Sequence, residues 1–283
     1  MRSMAEDPIE AFVCGHPIAH SRSPMIHRHW LEAYGLNGSY CAIDIAPADF
    51  AAFMDELPGS GFAGGNVTIP HKEAAFASVA IREEAAELTG AVNTLWLEDG
   101  KICGGNTDVY GFAANLDQYA PQWRKAERAV IVGAGGAARA VVLALQQAGI
   151  GDIRIANRSP ERAFELKHRF GAGISAVGLA SLPEILVDAD LLVNTTSLGM
   201  NGDSALPANP ELLPAHSVVT DIVYVPLKTP LLAAAARCGL KTVDGLGMLL
   251  HQAAPAFAKW FNVMPDVSTT LRELVVADIE RKK

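Results

Sequence analysis

Short runs of apolar, β-favouring residues recur along the chain, and each is followed by a polar loop and then a helix-like stretch. That alternation predicts an α/β fold. Ala11 to Cys14 reads as a buried strand, and a helix is expected from Pro24 towards Tyr34. Gly35 is placed to end it, because glycine enters the left-handed cap without strain. A strand over Tyr40 to Asp44, a helix over Ala48 to Leu57 and a strand over Gly65 to Thr68 follow. Thr94 to Leu97 and Lys101 to Cys103 flank Asp99-Gly100, a hairpin-turn dipeptide.

Val109 to Tyr119 is a predicted helix that Pro121 stops, and a polar stretch from Gln122 to Arg128 interrupts the pattern. The pattern restarts with Ala129 to Val132, a strand running straight into a glycine-rich turn. Further strands are expected at Ile153 to Ala156, Leu191 to Asn194, Val218 to Val223 and Thr242-Val243. The break near Gln122 marks a candidate domain boundary. A second crossing falls near Gly245, after which the C-terminal helices pack back on the first half.

Half of the 283 residues are hydrophobic and 19% are charged, the composition of a well-cored protein. The net charge of −8 argues against a nucleic-acid binder, and the Arg281-Lys282-Lys283 tail is expected to be simply solvated. No apolar run is long and charge-free enough to span a bilayer, and the first residues lack a secretory pattern. Cys14, Cys41, Cys103 and Cys238 form no CxxC pair and are expected to be buried, reduced thiols. His16, His20, His27 and His29 match no metal spacing. A cytoplasmic enzyme or binding protein, free of metal, is the expectation.

Gly133-Ala134-Gly135-Gly136-Ala137-Ala138 leaves a strand and opens a helix, the G-x-G-x-x-A form of the dinucleotide fingerprint. Its glycines permit the tight turn and let backbone amides approach a pyrophosphate. NAD enzymes of this kind hold the adenine ribose with an acid at the end of the second strand. This strand ends instead in Asn157-Arg158-Ser159, and Asp152 sits at its wrong end. Arg158, with Arg162 one turn on, can bind a 2′-phosphate, and Ser159 is placed as an N-cap before Pro160. The cofactor is therefore expected to be NADP.

Polar clusters interrupt the first half. Ser21 and Ser23 lie between a strand and a helix, where two hydroxyls can hold one carboxylate; Ser23 could equally cap the helix at Pro24. Thr68 and Lys72 are held at a strand's carboxyl edge, where ligands of open α/β sheets bind. Asn93-Thr94 and Gly105-Asn106-Thr107-Asp108 add amide and hydroxyl groups, although Asp108 could be a plain N-cap. Alcohol–ketone chemistry needs an acid to protonate the oxygen as hydride arrives at carbon. An ammonium oriented by a carboxylate, Lys72 beside Asp108, would supply it.

Taken together, Ser21-Arg22-Ser23-Pro24, Asn66-Val67-Thr68-Ile69-Pro70-His71-Lys72, Gly90-Ala91-Val92-Asn93-Thr94 and Gly105-Asn106-Thr107-Asp108 resemble the shikimate dehydrogenase family. The resemblance continues through the glycine turn, Asn157-Arg158-Ser159, Asn194-Thr195-Thr196 and Asp221-Ile222-Val223-Tyr224, and ends in Asp244 to Ala253. It implies NADPH-dependent reduction of 3-dehydroshikimate, with Lys72 and Asp108 as the catalytic pair. Ser21, Ser23 and Tyr224 would serve the substrate carboxylate, and Asn66, Thr68, Asn93 and Gln252 its ring hydroxyls. Gly133, Ala134, Gly135, Gly136 and Ala137, with Asn157, Arg158, Ser159, Arg162 and Thr195, would hold the cofactor. Ile222 would also bind the cofactor, and Gly245 and Met248 would line its nicotinamide pocket. The family's usual clamp carries threonine where Ser159 stands.

The implied fold is two-domain α/β. A substrate-binding catalytic domain (residues 1–112, completed by 247–283) joins an NADP-binding Rossmann domain (113–246), with the active cleft between them. The protein would be a monomer or homodimer acting on a small molecule. A quinate/shikimate dehydrogenase, an aminoshikimate-type paralogue and a non-catalytic NADP-binding sensor are the alternatives.

Overall fold

The computed structural model describes residues 7–200, 203 and 206–281. Lys282 and Lys283 of the basic tail lie outside the described residues, as do the first six. The chain divides into two compact units, Met1–Thr107 with Gln252–Lys283, and Asp108–His251.

The first unit contains β1 (Ile9–Gly15), α1 (Ser23–Tyr34), β2 (Gly38–Asp44), α2 (Phe50–Glu56) and β3 (Phe62–Val67). It continues through α3 (Lys72–Ser78), β4 (Ile81–Arg82), α4 (Glu84–Thr89), β5 (Thr94–Glu98) and β6 (Lys101–Gly105). The strands form one sheet of order β2-β1-β3-β5-β6-β4. β1 runs parallel to β2 and β3, whereas β5 is antiparallel to β3 and β6. The β5–β6 turn places Asp99 and Gly100 at φ 50° and 72°, the left-handed pair that a tight hairpin demands.

Side chains alternate across the sheet. Phe12 and Cys14 of β1 join a core with Phe50, Met54, Val67 and Leu95. Elsewhere in this unit Trp30, His27, Tyr40, Phe257 and Trp260 form an aromatic cluster. Its last members come from the C-terminal segment, where α10 (Leu246–Phe261) precedes α11 (Thr269–Arg281). Trp30 Nε1 donates to the Asp266 carbonyl at 3.1 Å, and Trp260 Nε1 to the Leu95 carbonyl at 2.8 Å. A buried ion pair, Arg22 to Asp278 at 3.2 Å, ties α1 to α11.

In the second unit α5 (Asp108–Tyr119) leads to β7 (Arg128–Val132), α6 (Gly136–Gln147), β8 (Asp152–Asn157), α7 (Pro160–Phe170) and β9 (Ile174–Gly178). Then come α8 (Leu182–Leu186), β10 (Leu191–Asn194), β11 (Val218–Asp221), α9 (Pro230–Arg237) and β12 (Lys241–Val243). Every strand pairing in this sheet is parallel, and the order is β12-β11-β10-β7-β8-β9. Counted from β7 as the first strand, that is the 3-2-1-4-5-6 doubly wound order, with its reversal between β7 and β10. Val130 and Val132 pack against Leu182, Leu186, Leu231 and Ala235. Ala129 and Ile131 are equally buried and point to the opposite face. A strand covered on both faces must be apolar throughout, which is why β7 reads as an unbroken apolar run.

Several expectations need correction. β3 ends at Val67 and β11 at Asp221, each short of the predicted end, because the following residues turn away to form loops. α2 begins at Phe50, and Leu57 belongs to a short 3-10 turn instead. Cys14 and Cys103 are buried, but Cys41 and Cys238 are exposed; all four are free thiols. Among the described residues no helix is long and apolar enough to cross a membrane, and no cluster of side chains could hold a metal.

Candidate active site

Strand register brings the polar clusters of the first unit to one sheet edge. β1 and β3 are parallel, so the loops that leave them lie at the same end, and these carry Ser21-Ser23 and Thr68-Lys72. Asn66 is opposite Thr94, and Thr94 is opposite Gly105, so β5 begins and β6 ends at that same edge. Asn93 and Thr107 follow from those two positions. Lys72 opens α3, half-buried, and its carbonyl accepts the Val92 amide at 2.9 Å.

The amides here have a single allowed orientation. The Thr107 backbone N–H can only donate, and it donates to Asn93 Oδ1 at 2.8 Å. Asn93 Nδ2 therefore faces the other way, donating to Thr107 Oγ1 at 3.0 Å and to Gln252 Oε1 at 2.9 Å. Gln252 has its oxygen engaged, and its amide nitrogen carries the remaining donors. Asn66 Nδ2 donates to the Asn93 carbonyl (3.1 Å) and Thr94 Oγ1 (3.2 Å). Asn66, Asn93 and Gln252 thus form one network with Thr94 and Thr107, buried except at the Gln252 end. In a buried setting such a network holds its members rigidly because breaking any link leaves a polar group unpaired.

Ser23 does not cap α1. The capping position is Arg22, without a side-chain cap bond, and Ser23 lies inside the first turn, its N–H donating to Ser21 Oγ at 3.3 Å. Asp108 is buried and opens α5, directly after Thr107 in the chain.

In the second unit the β7–α6 turn has the form expected of the fingerprint. Gly133 sits at φ 107°, and a Cβ there would lie 2.6 Å from Thr195 Oγ1. That hydroxyl and the Thr195 amide both bind the Val132 carbonyl, at 2.9 and 2.8 Å. Gly135 and Gly136 face open space instead, leaving room over the α6 N-terminus for a ligand's phosphates. Asn157, at the tip of β8, folds its amide onto the Ser159 carbonyl at 2.9 Å. Ser159 occupies the N-cap position of α7 without a side-chain cap bond, and Arg158, Ser159 and Arg162 are exposed. The tip sequence Asn157-Arg158-Ser159 carries an arginine and no carboxylate, so the residues present there fit a phosphorylated ribose.

Asp221, fully buried at the end of β11, is a further organiser. It accepts from Asn194 Nδ2 (2.9 Å), the Val223 amide (3.0 Å) and Thr229 Oγ1 (2.8 Å). Burial pushes its carboxyl above the ordinary value, and the three bonds pull the other way. It fixes two neighbouring turns, Asn194-Thr195-Thr196 and Ile222-Val223-Tyr224. Gly245 is packed so closely that a Cβ would lie 2.3 Å from the Ile222 carbonyl oxygen. Met248 is buried and Tyr224 half-buried. The sequence motif contains Asp221 but gives no sign of this role.

A doubly wound parallel sheet with an open glycine turn beside its central strand defines a dinucleotide-binding protein, joined to a mixed-sheet unit bearing a buried amide and hydroxyl network at its sheet edge. The comparisons narrow that class. Residues 13–95 match the shikimate dehydrogenase substrate binding domain, 117–200 the shikimate / quinate 5-dehydrogenase model, and 245–274 the shikimate 5′-dehydrogenase C-terminal domain. The shikimate dehydrogenase (NADP(+)) of Mesorhizobium japonicum is 63% identical, covering 99% of this chain and all of the relative. Shikimate 5-dehydrogenase from Thermus thermophilus, solved with NADP(H) and shikimate, is 39% identical with a TM-score of 0.85, covering 96% of this chain and 99% of that one. Quinate dehydrogenase from Corynebacterium glutamicum, solved with NAD, is 32% identical with a TM-score of 0.88 over the same shares. The chain belongs to the shikimate dehydrogenase family.

Proposed function

We propose that the protein is an NADP-dependent shikimate dehydrogenase, catalysing the reversible reduction of 3-dehydroshikimate to shikimate in the route to chorismate and the aromatic amino acids. The observation that carries this reading is the pre-set amide network of Asn66, Asn93 and Gln252 at the sheet edge that also carries Lys72. A polyol presents several hydroxyls at fixed angles, and a rigid array of donors and acceptors is what selects it.

Substrate binding is assigned to the unit made of residues 1–107 and 252–283, and cofactor binding to 108–251. Ser21 and Ser23 donate to the carboxylate, with Tyr224 beside them, and Thr68 joins the three amides at the ring hydroxyls. Lys72 delivers the proton to the carbonyl oxygen, and Asp108 orients its ammonium and keeps it charged. The bound cofactor supplies the hydride. Gly133 to Ala137 give their amides to the pyrophosphate, Arg158, Ser159 and Arg162 take the 2′-phosphate, and Asn157 belongs to the same cofactor site. Thr195, Ile222, Gly245 and Met248 line the remainder. The four free thiols suit a reducing compartment, and we place the protein in the cytoplasm as a monomer or homodimer.

Fold alone does not separate this reading from a quinate dehydrogenase, since the Corynebacterium enzyme has the same architecture. The arginine in place of an acid at the β8 tip favours NADP, and with it shikimate. The test is NADPH or NADH formation with shikimate and with quinate. NADP⁺ with shikimate should give the highest kcat/KM; preference for NAD⁺ or for quinate overturns the assignment. Lys72→Ala should lower kcat by roughly 10²-fold or more, as loss of a general acid does. Near-normal turnover in that variant would refute the mechanism.

A further inference from the structure

Asn66 can select a substrate hydroxyl only if its amide stays in one orientation, and the residue that closes its last position comes from outside the motif. Asn66 Oδ1 accepts from Tyr40 Oη–H at 2.7 Å. The direction is forced, because the Asn93 carbonyl can only accept, so Nδ2 faces it and the oxygen faces the phenol. Both Asn66 amide hydrogens are then used, and toward a ligand it offers only the second lone pair of Oδ1.

Tyr40 is the one buried residue of β2. Its ring lies flat on the His27 imidazole, with centroids 3.9 Å apart and planes 7° from parallel. His27 is completely buried with neither ring nitrogen hydrogen-bonded, and desolvation drives its pKa down to about 3. It is therefore a neutral, fixed platform under the phenol at any working pH.

We propose that Tyr40 is a positioning residue for the substrate: its hydroxyl locks the Asn66 amide as an acceptor. This rests on the assignment of Asn66 to shikimate binding. Tyr40→Phe keeps the ring on His27 and removes only the hydroxyl. With NADP⁺ in excess, KM for shikimate should rise about tenfold, with kcat changed less than about threefold and KM for NADP⁺ unchanged. Those figures correspond to one lost hydrogen bond felt in ground-state and transition-state binding alike. In an Asn66→Ala background, Tyr40→Phe should add less than about twofold, because its effect runs through that amide.

A fall in Tm with an unchanged shikimate KM would show a purely structural role and overturn the proposal. So would a full tenfold effect added in the Asn66→Ala background. Wild-type protein inactive on shikimate would sink the functional assignment instead, a separate outcome from either of these.

Discussion

The glycine turn after β7 contains two kinds of glycine, and a single added methyl group should distinguish them. Gly133 has φ 107°, where a side chain is strained, and its Cβ would stand 2.6 Å from Thr195 Oγ1 and 2.9 Å from Thr196 Cγ2. The backbone term costs about 1–2 kcal/mol. Forcing a methyl into occupied space adds about 1–3 kcal/mol, since Thr195 is held by the Val132 carbonyl and gives way only by breaking that bond. Gly133→Ala should therefore destabilise by about 3 kcal/mol, equivalent to a fall in Tm of roughly 6–12 °C for a domain of this size.

Gly135 is different. Its φ and ψ of −90° and −171° are extended backbone open to any residue, and a Cβ would meet nothing within 4 Å. Gly135→Ala should leave Tm within about 1 °C, yet raise KM for NADP⁺ roughly tenfold or more, because the methyl occupies space kept for the pyrophosphate. The assays are thermal unfolding of the ligand-free protein and initial rates across NADP⁺ concentrations. Thr195→Ala in the Gly133→Ala background should restore part of the lost Tm by removing the nearest clashing atom. Equal Tm losses for the two glycine variants would refute this division of the turn into a packing glycine and a ligand glycine.

Asp221 and the cysteines allow two further tests. Asp221 holds its proton to higher pH when folded than when unfolded, so it contributes most stability below the unfolded carboxylate value and loses it as pH rises through the folded one. The stability of wild type minus Asp221→Asn should thus shrink as pH rises from below the unfolded carboxylate value through the higher folded one, measured by urea unfolding; a pH-independent difference would contradict the buried carboxylate as the source. In the folded protein Cys41 and Cys238 should react with a disulfide reagent, while Cys14, its thiol pushed up to about 12, and Cys103 should react only after unfolding. Rapid reaction of all four thiols would contradict the burial.

The fold was most legible where a local rule needs no partner. Strands buried on both faces announce themselves as apolar runs, as Ala129 to Val132 does, and Gly35 at φ 62° ends α1 as its position requires. The pattern does not predict β9, whose Ile-Ser-Ala-Val-Gly sequence is short, mostly half-buried and at the sheet edge. Strand ends were misplaced by a residue or two for the same reason. Thr68 and Ile222-Val223 have strand-like composition, but where a ladder stops depends on the partner strand, which the local sequence does not contain.

The candidate site divides along the same line. Ser21, Thr68 and Asn93 sit in polar loops after or before strands and Lys72 opens the helix that follows one, and chemistry at such places stands out against apolar surroundings. Tyr40 and Asp221 do not stand out. Tyr40 is an ordinary strand residue by composition, and its bond to Asn66 spans 26 positions of sequence. It exists because β1 lies between β2 and β3, so that two strands separated by a helix each place a residue in one network. Asp221 likewise acquires its role only when parallel β10 and β11 bring Asn194 opposite it. Residues that meet a ligand are constrained by their own chemistry and can be read singly. Residues that hold those in place are constrained by geometry, and become visible only once strand order and register are known.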